Sequence, residues 1–265
     1  MASSNLLAGK TGLILNVAND RSIAWHIAQH ATAAGATCGF GFLPMNDKME
    51  RRARKAIDEV EGIQDDYFLH PCDVADDASV DAYFDAAKER FGKIDFLVHS
   101  LAFADRTYLA HGKFTETPRD VFSTALDVSA YSLIHLTRKA LPLMEDGGSV
   151  LALTYLGSTK AVPGYNVMGV AKAALEASAR YLALELGEKG VRVNTLSAGP
   201  VRTLSAMAVG GIDEMFDHTE KKAPLKRNIT GEDVGGTATY LLSDLASGVT
   251  GENVFVDSGF NIVGL

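Results

Sequence analysis

Short apolar runs alternate with amphipathic segments along nearly the whole chain of 265 residues. Runs such as TGLILNVA at 11–18 and SVLALTYL at 149–156 lack the polar alternation that a solvent-facing strand surface imposes. Strands buried on both faces are typical of parallel sheets covered by helices on both sides. The repeated strand-then-helix order also requires right-handed crossovers. The pattern therefore predicts an α/β fold with a doubly wound parallel sheet.

The period of the apolar residues places about seven strands and the helices between them. The predicted strands are 11–18, 36–43, 67–74, 94–101, 149–156, 191–197 and 252–257. The predicted helices are 22–35, 47–61, 77–92, 120–144 and 167–190, with two more helical segments before the last strand. This is a Rossmann-type arrangement in a single domain spanning 1–265.

The composition argues against several classes of protein. A formal net charge of -8 disfavours a nucleic-acid partner, because phosphate binding needs a basic face. No apolar stretch approaches the roughly 18 residues of a membrane span, and the start, MASSNLLAGKTG, lacks a signal-peptide pattern. Cys38 and Cys72 lie in or beside apolar runs, which favours buried free thiols over a disulfide or a metal pair. We expect a cytoplasmic protein with no metal site and no membrane partner.

The loops that follow the predicted strands fall at one edge of the sheet. In a doubly wound sheet, ligands bind at the carboxyl ends of the strands. The loops found there are NVANDRS, CDVAD, HSLAFAD, TYLGSTK and SAGPVRT. Five loops at one edge indicate one binding site.

The first strand-to-helix turn lacks the glycine fingerprint of dinucleotide binding, since no glycine lies between Gly12 and Gly35. One interpretation is a plain polar turn capped by Ser22. In the other, N–H groups around Ser22 and Ile23 open the helix and bind a pyrophosphate. Asn16 tolerates the left-handed conformation almost as glycine does, so a tight turn is compatible with this sequence.

Two further loops suit a nucleotide. Asp73 would accept a hydrogen bond from an adenine amino group while Val74 packs on the ring; alternatively, Asp73 caps the helix that begins near Asp76. In SAGPVRT the Gly-Pro pair breaks the chain after the sixth strand and would leave free N–H groups at Val201 and Thr203. Those groups would bind a nicotinamide carboxamide, or merely form a loop.

The segment YLGSTKAVPGYNVMGVAK contains Tyr155, Tyr165 and Lys172. Residues seven apart return close to the same helix face, so Lys172 lies about one turn deeper than a lysine four after the tyrosine. Ordinary short-chain dehydrogenases use that four-residue spacing and a serine thirteen residues before the tyrosine, which is Ala152 here. Carbonyl reduction therefore lacks two of its three signals. A single tyrosine would be interpreted as an ordinary core residue, but Tyr155, Tyr165 and Lys172 together at this spacing indicate a catalytic site.

Six segments resemble the NAD(P)H-dependent enoyl-[acyl-carrier-protein] reductases of bacterial fatty-acid synthesis, a branch of the short-chain dehydrogenase superfamily. They are GLILNVANDRSIAWHIA, CDVADDAS, IDFLVHSLAFA, YLGSTKAVPGYNVMGVAKAALE, VRVNTLSAGPVRTL and VTGENVFVDSGF. The resemblance covers essentially the whole chain. Its most specific part is the spacing of Tyr165 and Lys172, with Tyr155 ten residues earlier.

The resemblance implies hydride transfer from the nicotinamide to the β carbon of a trans-2-enoyl thioester on acyl carrier protein. It implies that Tyr165 stabilises the developing enolate, that Lys172 binds the nicotinamide ribose and that Tyr155 faces the same cavity. It also implies a homotetramer, and the small residues around 203–220 suit a substrate lid. One alternative function is a short-chain dehydrogenase or ketoreductase, against which Ala152 argues. The other is a non-catalytic dinucleotide sensor, against which the presence of Tyr155, Tyr165 and Lys172 together argues.

The resemblance also extends to the ligand contacts. The predicted cofactor-binding residues are Asn16, Ser22, Ile23, Leu43, Asp73, Val74, Ser100, Leu101, Lys172, Val201, Arg202, Thr203, Leu204 and Ser205, and the substrate-binding ones are Ala104 and Tyr165. Leu43 stands where an acid would bind ribose hydroxyls or a cation a 2′-phosphate. Since no cation lies closer than Lys48, we expect NADH, with NADPH as the alternative through Arg51 and Arg52.

Overall fold

A sheet of parallel strands forms the centre of the computed structural model, which describes residues 5–203 and 212–264. Seven strands pair in the order β3-β2-β1-β4-β5-β6-β7. They are β1 (Thr11–Leu15), β2 (Thr37–Phe42), β3 (Leu69–Pro71), β4 (Phe96–His99), β5 (Gly148–Thr154), β6 (Val191–Ala198) and β7 (Asn253–Val256). The strand order reverses between β1 and β4, as in a doubly wound sheet. The predicted Rossmann-type fold is confirmed.

Helices cover both faces of this sheet. They are α1 (Ile23–Ala33), α2 (Asp47–Asp58), α3 (Asp77–Phe91), α4 (Arg119–Leu126), α5 (Ser132–Ala140), α6 (Asn166–Leu186), α7 (Ile212–Lys222) and α8 (Gly231–Leu242). Neighbouring strand residues point to opposite faces. Ile14 packs with α1, α2 and α8, whereas Leu13 packs with α3, α5 and α6. Within the described ranges, no helix is long and apolar enough to cross a bilayer.

Two predicted elements are shorter or less regular in the structure. The third strand, predicted at 67–74, spans Leu69–Pro71 because it is an edge strand whose only neighbour, β2, ends opposite Pro71. The single helix predicted at 120–144 is divided into α4 and α5 by a π-helical turn. Helix α5 ends at Ala140, before Pro142. Pro142 lacks the N–H that an α-helix needs, and the chain continues as a short 3-10 turn, Leu141–Leu143.

The π-helical turn, Asp127–Tyr131, fixes the loop that follows β4. The Ser129 hydroxyl accepts a hydrogen bond from Phe103 N at 2.9 Å and donates one to Phe103 O at 3.1 Å. One turn on, Ser132 Oγ lies 2.8 Å from Nε2 of His99, the last residue of β4. The π-helical turn and the first residue of α5 thus contact Phe103 in the loop after β4 and the last residue of β4.

Glycines allow α1 and α8 to approach closely. A Cβ atom on Gly235 would overlap the His30 ring and lie 2.8 Å from the backbone oxygen of His26. Gly236, its exposed neighbour, has open space at the same position. The close packing therefore depends on one of these two adjacent glycines and not on the other.

We expect Gly235→Ala to lower the free energy of unfolding by about 1–3 kcal/mol, because the helices must separate to admit the methyl group. The matched variant Gly236→Ala should raise it by up to about 1 kcal/mol, because alanine forms helix better than glycine. Urea denaturation measures both. Equal effects of the two substitutions would contradict the close-contact explanation.

Candidate active site

The start of α6 sets the position of Tyr165. Tyr165 is the residue before the helix, and Asn166, its first residue, has a φ of 38°, which L residues rarely adopt. The Asn166 Nδ2 donates to Tyr108 O at 2.7 Å and to Ala110 O at 2.9 Å. These bonds tie a neighbouring loop to the turn and fix the direction in which the chain enters the helix.

Tyr155 and Tyr165 are in direct contact. Tyr155 follows β5, and its ring meets that of Tyr165 edge to face, with centroids 4.9 Å apart at 66°. Gly157 lies against the second ring: a Cβ there would be 2.9 Å from Cε1 of Tyr165. The absence of a side chain at this glycine therefore gives the tyrosine its place.

Both phenols are neutral hydrogen-bond donors near pH 7. Desolvation raises the pKa of Tyr155 to about 12, and the nearby Asp257 carboxylate adds to it. Desolvation also raises the pKa of Tyr165, with smaller contributions from Tyr155 and Glu176. A neutral phenol can donate to an oxygen that gains negative charge, which a phenolate cannot.

Lys172 reaches from α6 to the ends of two strands. Its Nζ donates to Leu153 O at 2.7 Å and to Leu101 O at 3.2 Å, and the residue is only 4% exposed. Burial lowers the pKa of Lys172 to about 8, against the opposing effect of Glu176. Burial, then the Lys172 charge, lowers the pKa of His99 to about 3, so that histidine is neutral. The lysine is the cation at the centre of the site.

Helix α7 borders the site on one side. Tyr155 Oη lies 3.0 Å from Met215 Sδ. At the start of the helix, Arg202 pairs with Asp213 at 3.2 Å, and its guanidinium lies 4.4 Å from the centre of the Phe216 ring. The Arg202 side chain, predicted to bind cofactor, thus contacts α7.

The turn between β1 and α1 has the geometry that its sequence predicts. Asn16 has a φ of 67°, so the left-handed conformation expected of it is confirmed, and its Nδ2 donates to Ser100 O at 3.1 Å. Ser22 caps α1, accepting from Trp25 N at 3.2 Å. Ile23 follows as the first helical residue. The predicted cap is confirmed, and a pyrophosphate role for Ser22 and Ile23 stays a prediction.

Two predictions about the nucleotide loops are wrong. Asp73 does not cap α3, because Asp76 does, accepting from Ala78 N at 3.0 Å. Asp73 instead accepts from Ala75 N at 3.0 Å, and the side chain of Val74 is buried in the core. The N–H of Thr203 is not free either.

The Thr203 N–H donates to Val201 O at 2.7 Å and closes a tight turn. Leu204 and Ser205 lie outside the described residues, as does most of the loop part of the lid predicted at 203–220. The described part of that lid is α7. A role for Val201 at the cofactor stays a prediction.

The remaining predicted residues lie along the same sheet edge. Leu43 is 37% exposed just beyond β2, towards the nucleotide half. Ser100 and Leu101 follow β4, and Ala104 packs in a small apolar cluster with Tyr165. The structure therefore brings Tyr155, Tyr165, Lys172, Leu101 and Ala104 together. Of the other predicted cofactor residues, Asn16, Leu43 and Asp73 lie at or just beyond the ends of β1 to β3, and Val201 follows β6.

Sequence reasoning missed several residues of this site. Asn166 carried a usable signal, since asparagine is a residue type that tolerates the left-handed conformation. Gly157 and Glu176 have no pattern that reveals their contacts. Met215 meets Tyr155 across 60 positions of sequence, and no local pattern reports such a contact.

A dinucleotide is chemically compatible with these residues. Lys172 has three N–H donors, and the two carbonyls it meets in the described part of the chain leave one for a ribose hydroxyl. Asp73 supplies a carboxylate near the end of β3, and the first turn of α1 supplies backbone N–H groups. Each lies at the strand edge where such a ligand binds.

The chain matches one protein family over most of its length. The family model for enoyl-(acyl carrier protein) reductase matches residues 17–261. The chain is 51% identical over 259 residues to the enoyl-[acyl-carrier-protein] reductase [NADH] FabI of Nostoc sp., covering 98% of this chain and 99% of that relative.

Two solved structures are similar throughout. The Bacillus cereus enoyl-acyl carrier protein reductase with NADP+ and indole naphthyridinone superposes with a TM-score of 0.94 at 48% identity, covering 98% of this chain and 99% of that one. The reductase of Anaplasma phagocytophilum in complex with NAD gives 0.92 at 45% identity, covering 98% and 97%.

Burial of Lys172 makes stability depend on pH. Its folded pKa of about 8 lies below the ordinary 10.5, so between these values the unfolded chain binds more protons and stability rises with pH. Lys172→Met lacks this effect. We expect the variant's stability relative to wild type to fall by roughly 3 kcal/mol between pH 7 and pH 10.5. Urea denaturation of both proteins at the two pH values measures it, and a constant difference would contradict the buried charge.

Proposed function

The chain belongs to the enoyl-(acyl carrier protein) reductase family, and on that premise we propose which of its residues perform the reaction. It is an enoyl-[acyl-carrier-protein] reductase, an oxidoreductase that acts on CH–CH bonds with NADH. Its substrate is an enoyl thioester on acyl carrier protein. The single observation that carries this assignment is 51% identity across 98% of the chain.

NADH, when bound, supplies a hydride. We propose that the first turn of α1 at Ser22 and Ile23 binds the pyrophosphate, that Asp73 accepts from the adenine, and that Lys172 binds the nicotinamide ribose. The free donor of Lys172 and its central place between β4 and β5 support the last role. Leu43 is apolar and half-exposed at the end of β2, where NADPH would require a cation, which favours NADH.

We propose that Tyr165 donates its hydroxyl proton in a hydrogen bond to the thioester oxygen. Negative charge develops on that oxygen as the double bond is reduced, so a fixed donor stabilises the transition state more than the bound substrate. The raised pKa of Tyr165, caused mainly by desolvation, keeps the donor protonated. The Tyr155 ring packs edge to face against the Tyr165 ring, and Ala104 packs against the same apolar cluster as Tyr165.

Tyr165 and Lys172 should fail in different ways. We expect Tyr165→Phe to lower kcat by about 10²–10³-fold while NADH affinity changes little, because the lost contact forms chiefly in the transition state. Lys172→Met should lose NADH binding and turnover together. The assay supplies a short enoyl thioester with NADH, or NADPH for comparison, and follows loss of the reduced cofactor's absorbance.

Tyr240→Phe, at a partly exposed tyrosine on α8, is the matched control and should behave as wild type. Unaltered kcat and kcat/KM in Tyr165→Phe would exclude its proposed role. A wild-type protein that does not oxidise NADH with an enoyl thioester would overturn the function itself.

We propose that the protein works as a homotetramer. Two sets of large apolar side chains are exposed among the described residues, and a tetramer with two-fold axes needs two distinct contacts. The first is on α5 and α6, where Tyr181 is 75% and Leu184 79% exposed, beside a groove of about 690 Å³ between α4, α5 and α6. The second includes Leu245 and Ile262, which are 65% and 76% exposed.

Light scattering should give about four times the subunit mass of 28.2 kDa. Leu184→Glu combined with Tyr181→Glu should reduce the assembly to a smaller species, because a charge would be buried in the first contact. Met45→Glu, at an exposed site outside both sets, is the control and should leave the mass unchanged. A monomeric wild type would contradict the proposal.

We also assign the protein to the cytoplasm. Cys38 and Cys72 are buried free thiols, which supports a reducing compartment. Cell fractionation tests this assignment.

A further inference from the structure

A buried carboxylate follows Lys172 on α6, and it has no part in the reaction proposed above. Glu176 follows Lys172 by one helical turn on α6 and is 6% exposed. Lys172 and Glu176 are four positions apart within α6, so their side chains lie close to one face of the helix. Acidic side chains are almost never buried this fully without a partner.

The partner of this carboxylate comes from the end of a strand. Thr154, the last residue of β5, donates its hydroxyl proton to Glu176 Oε1 at 2.7 Å, and both residues are buried. A hydrogen bond to the charged form stabilises a carboxylate. The bond also joins the residue before Tyr155 to the helix that carries Lys172.

Glu176 is the anion that acts on Lys172. The two partners of the lysine amine, Leu101 O and Leu153 O, are neutral carbonyls. His99 is neutral because burial, and next Lys172, lowers its pKa to about 3, and Tyr155 is neutral because desolvation raises its pKa to about 12.

Other titratable groups lie on the elements around α6. Asp257 is bound by Gly259 N and Asn261 N. Others, on α4, α5, the π turn, β6 and the adjoining loops, include Arg106, Arg119, Asp120, Asp127, His135, Arg138, Lys139, Lys160 and Arg192. Among all of these groups, Glu176 alone raises the pKa of Lys172, opposing the burial that lowers it to about 8.

We propose that Glu176 is a positioning residue that keeps Lys172 positively charged at neutral pH, acting through the lysine and never touching the substrate. The proposal rests on the role proposed above for Lys172 at the cofactor ribose. Burial alone favours the neutral amine, and a nearby opposite charge favours the ammonium. The balance between the two sets the pH above which the cation is lost.

The test is the pH dependence of NADH affinity in the full-length protein, followed by NADH fluorescence from pH 6 to pH 10. In the wild type the affinity should fall with a midpoint near the folded pKa of Lys172, about 8, because the ammonium loses its proton there. Glu176→Gln should move this midpoint to lower pH by roughly one unit. Glutamine keeps the size of the side chain and an oxygen that accepts from Thr154.

Glu185→Gln is the matched control. It removes the same charge from the same helix at an exposed position, and its midpoint should equal that of the wild type. Glu176→Asp keeps the charge but shortens the side chain, so its midpoint should stay close to the wild-type value. A residue that merely supports the fold would weaken binding equally at every pH.

A Glu176→Gln midpoint equal to that of the wild type would overturn this proposal alone. If Glu176→Gln does not fold, Glu176→Asp is the test. If its midpoint falls by a full pH unit although the negative charge is retained, the electrostatic role is refuted. Turnover separates this inference from the function, because a Glu176→Gln midpoint equal to that of the wild type leaves the wild type's oxidation of NADH with an enoyl thioester unaffected. A wild type without any midpoint would overturn the role of Lys172 and this proposal with it, while turnover of the enoyl thioester would leave the reductase function intact.

Discussion

Parallel pairing of the strands is the constraint on which the rest of the molecule depends. Because all seven strands run in the same direction, their carboxyl ends meet at one edge. The register of β5 with β6 places Thr154 beside Ser197, so the loop with Tyr155 and the loop at 199–203 leave the sheet side by side. The site is a consequence of that shared direction.

Most of the fold and part of the site follow from the sequence. The apolar periods fix the strands. The seven-residue spacing predicts that Tyr165 and Lys172 share a helix face, but Tyr165 lies just before α6 and only Lys172 is on the helix. Local chemistry also suffices for Asn16 and Ser22. Other features depend on which of several competing hydrogen bonds forms, and these are the turn at Thr203, the cap of α3 and the π turn. The contact of α7 with Tyr155 joins distant parts of the chain.

The site contains unfavourable features that the surrounding structure compensates. Asn166 adopts a left-handed φ, and Lys172 gives up solvent around a charge. Two hydrogen bonds from Asn166 and two from Lys172 offset part of these costs, and rigid elements supply the rest. Such costs are typical of places where function and not stability has determined the residue.

The bond between Thr154 and Glu176 closes a segment that contains Tyr155, Tyr165 and Lys172. The reactive groups thus belong to one continuous strand–loop–helix unit, and closing so short a loop costs little chain entropy. Met215, which lies 3.0 Å from Tyr155 Oη, comes from a separate part of the chain. In the proposed mechanism the groups that act on the enoyl thioester therefore come from one unit of the chain, while α7 contributes its contact to Tyr155 from another.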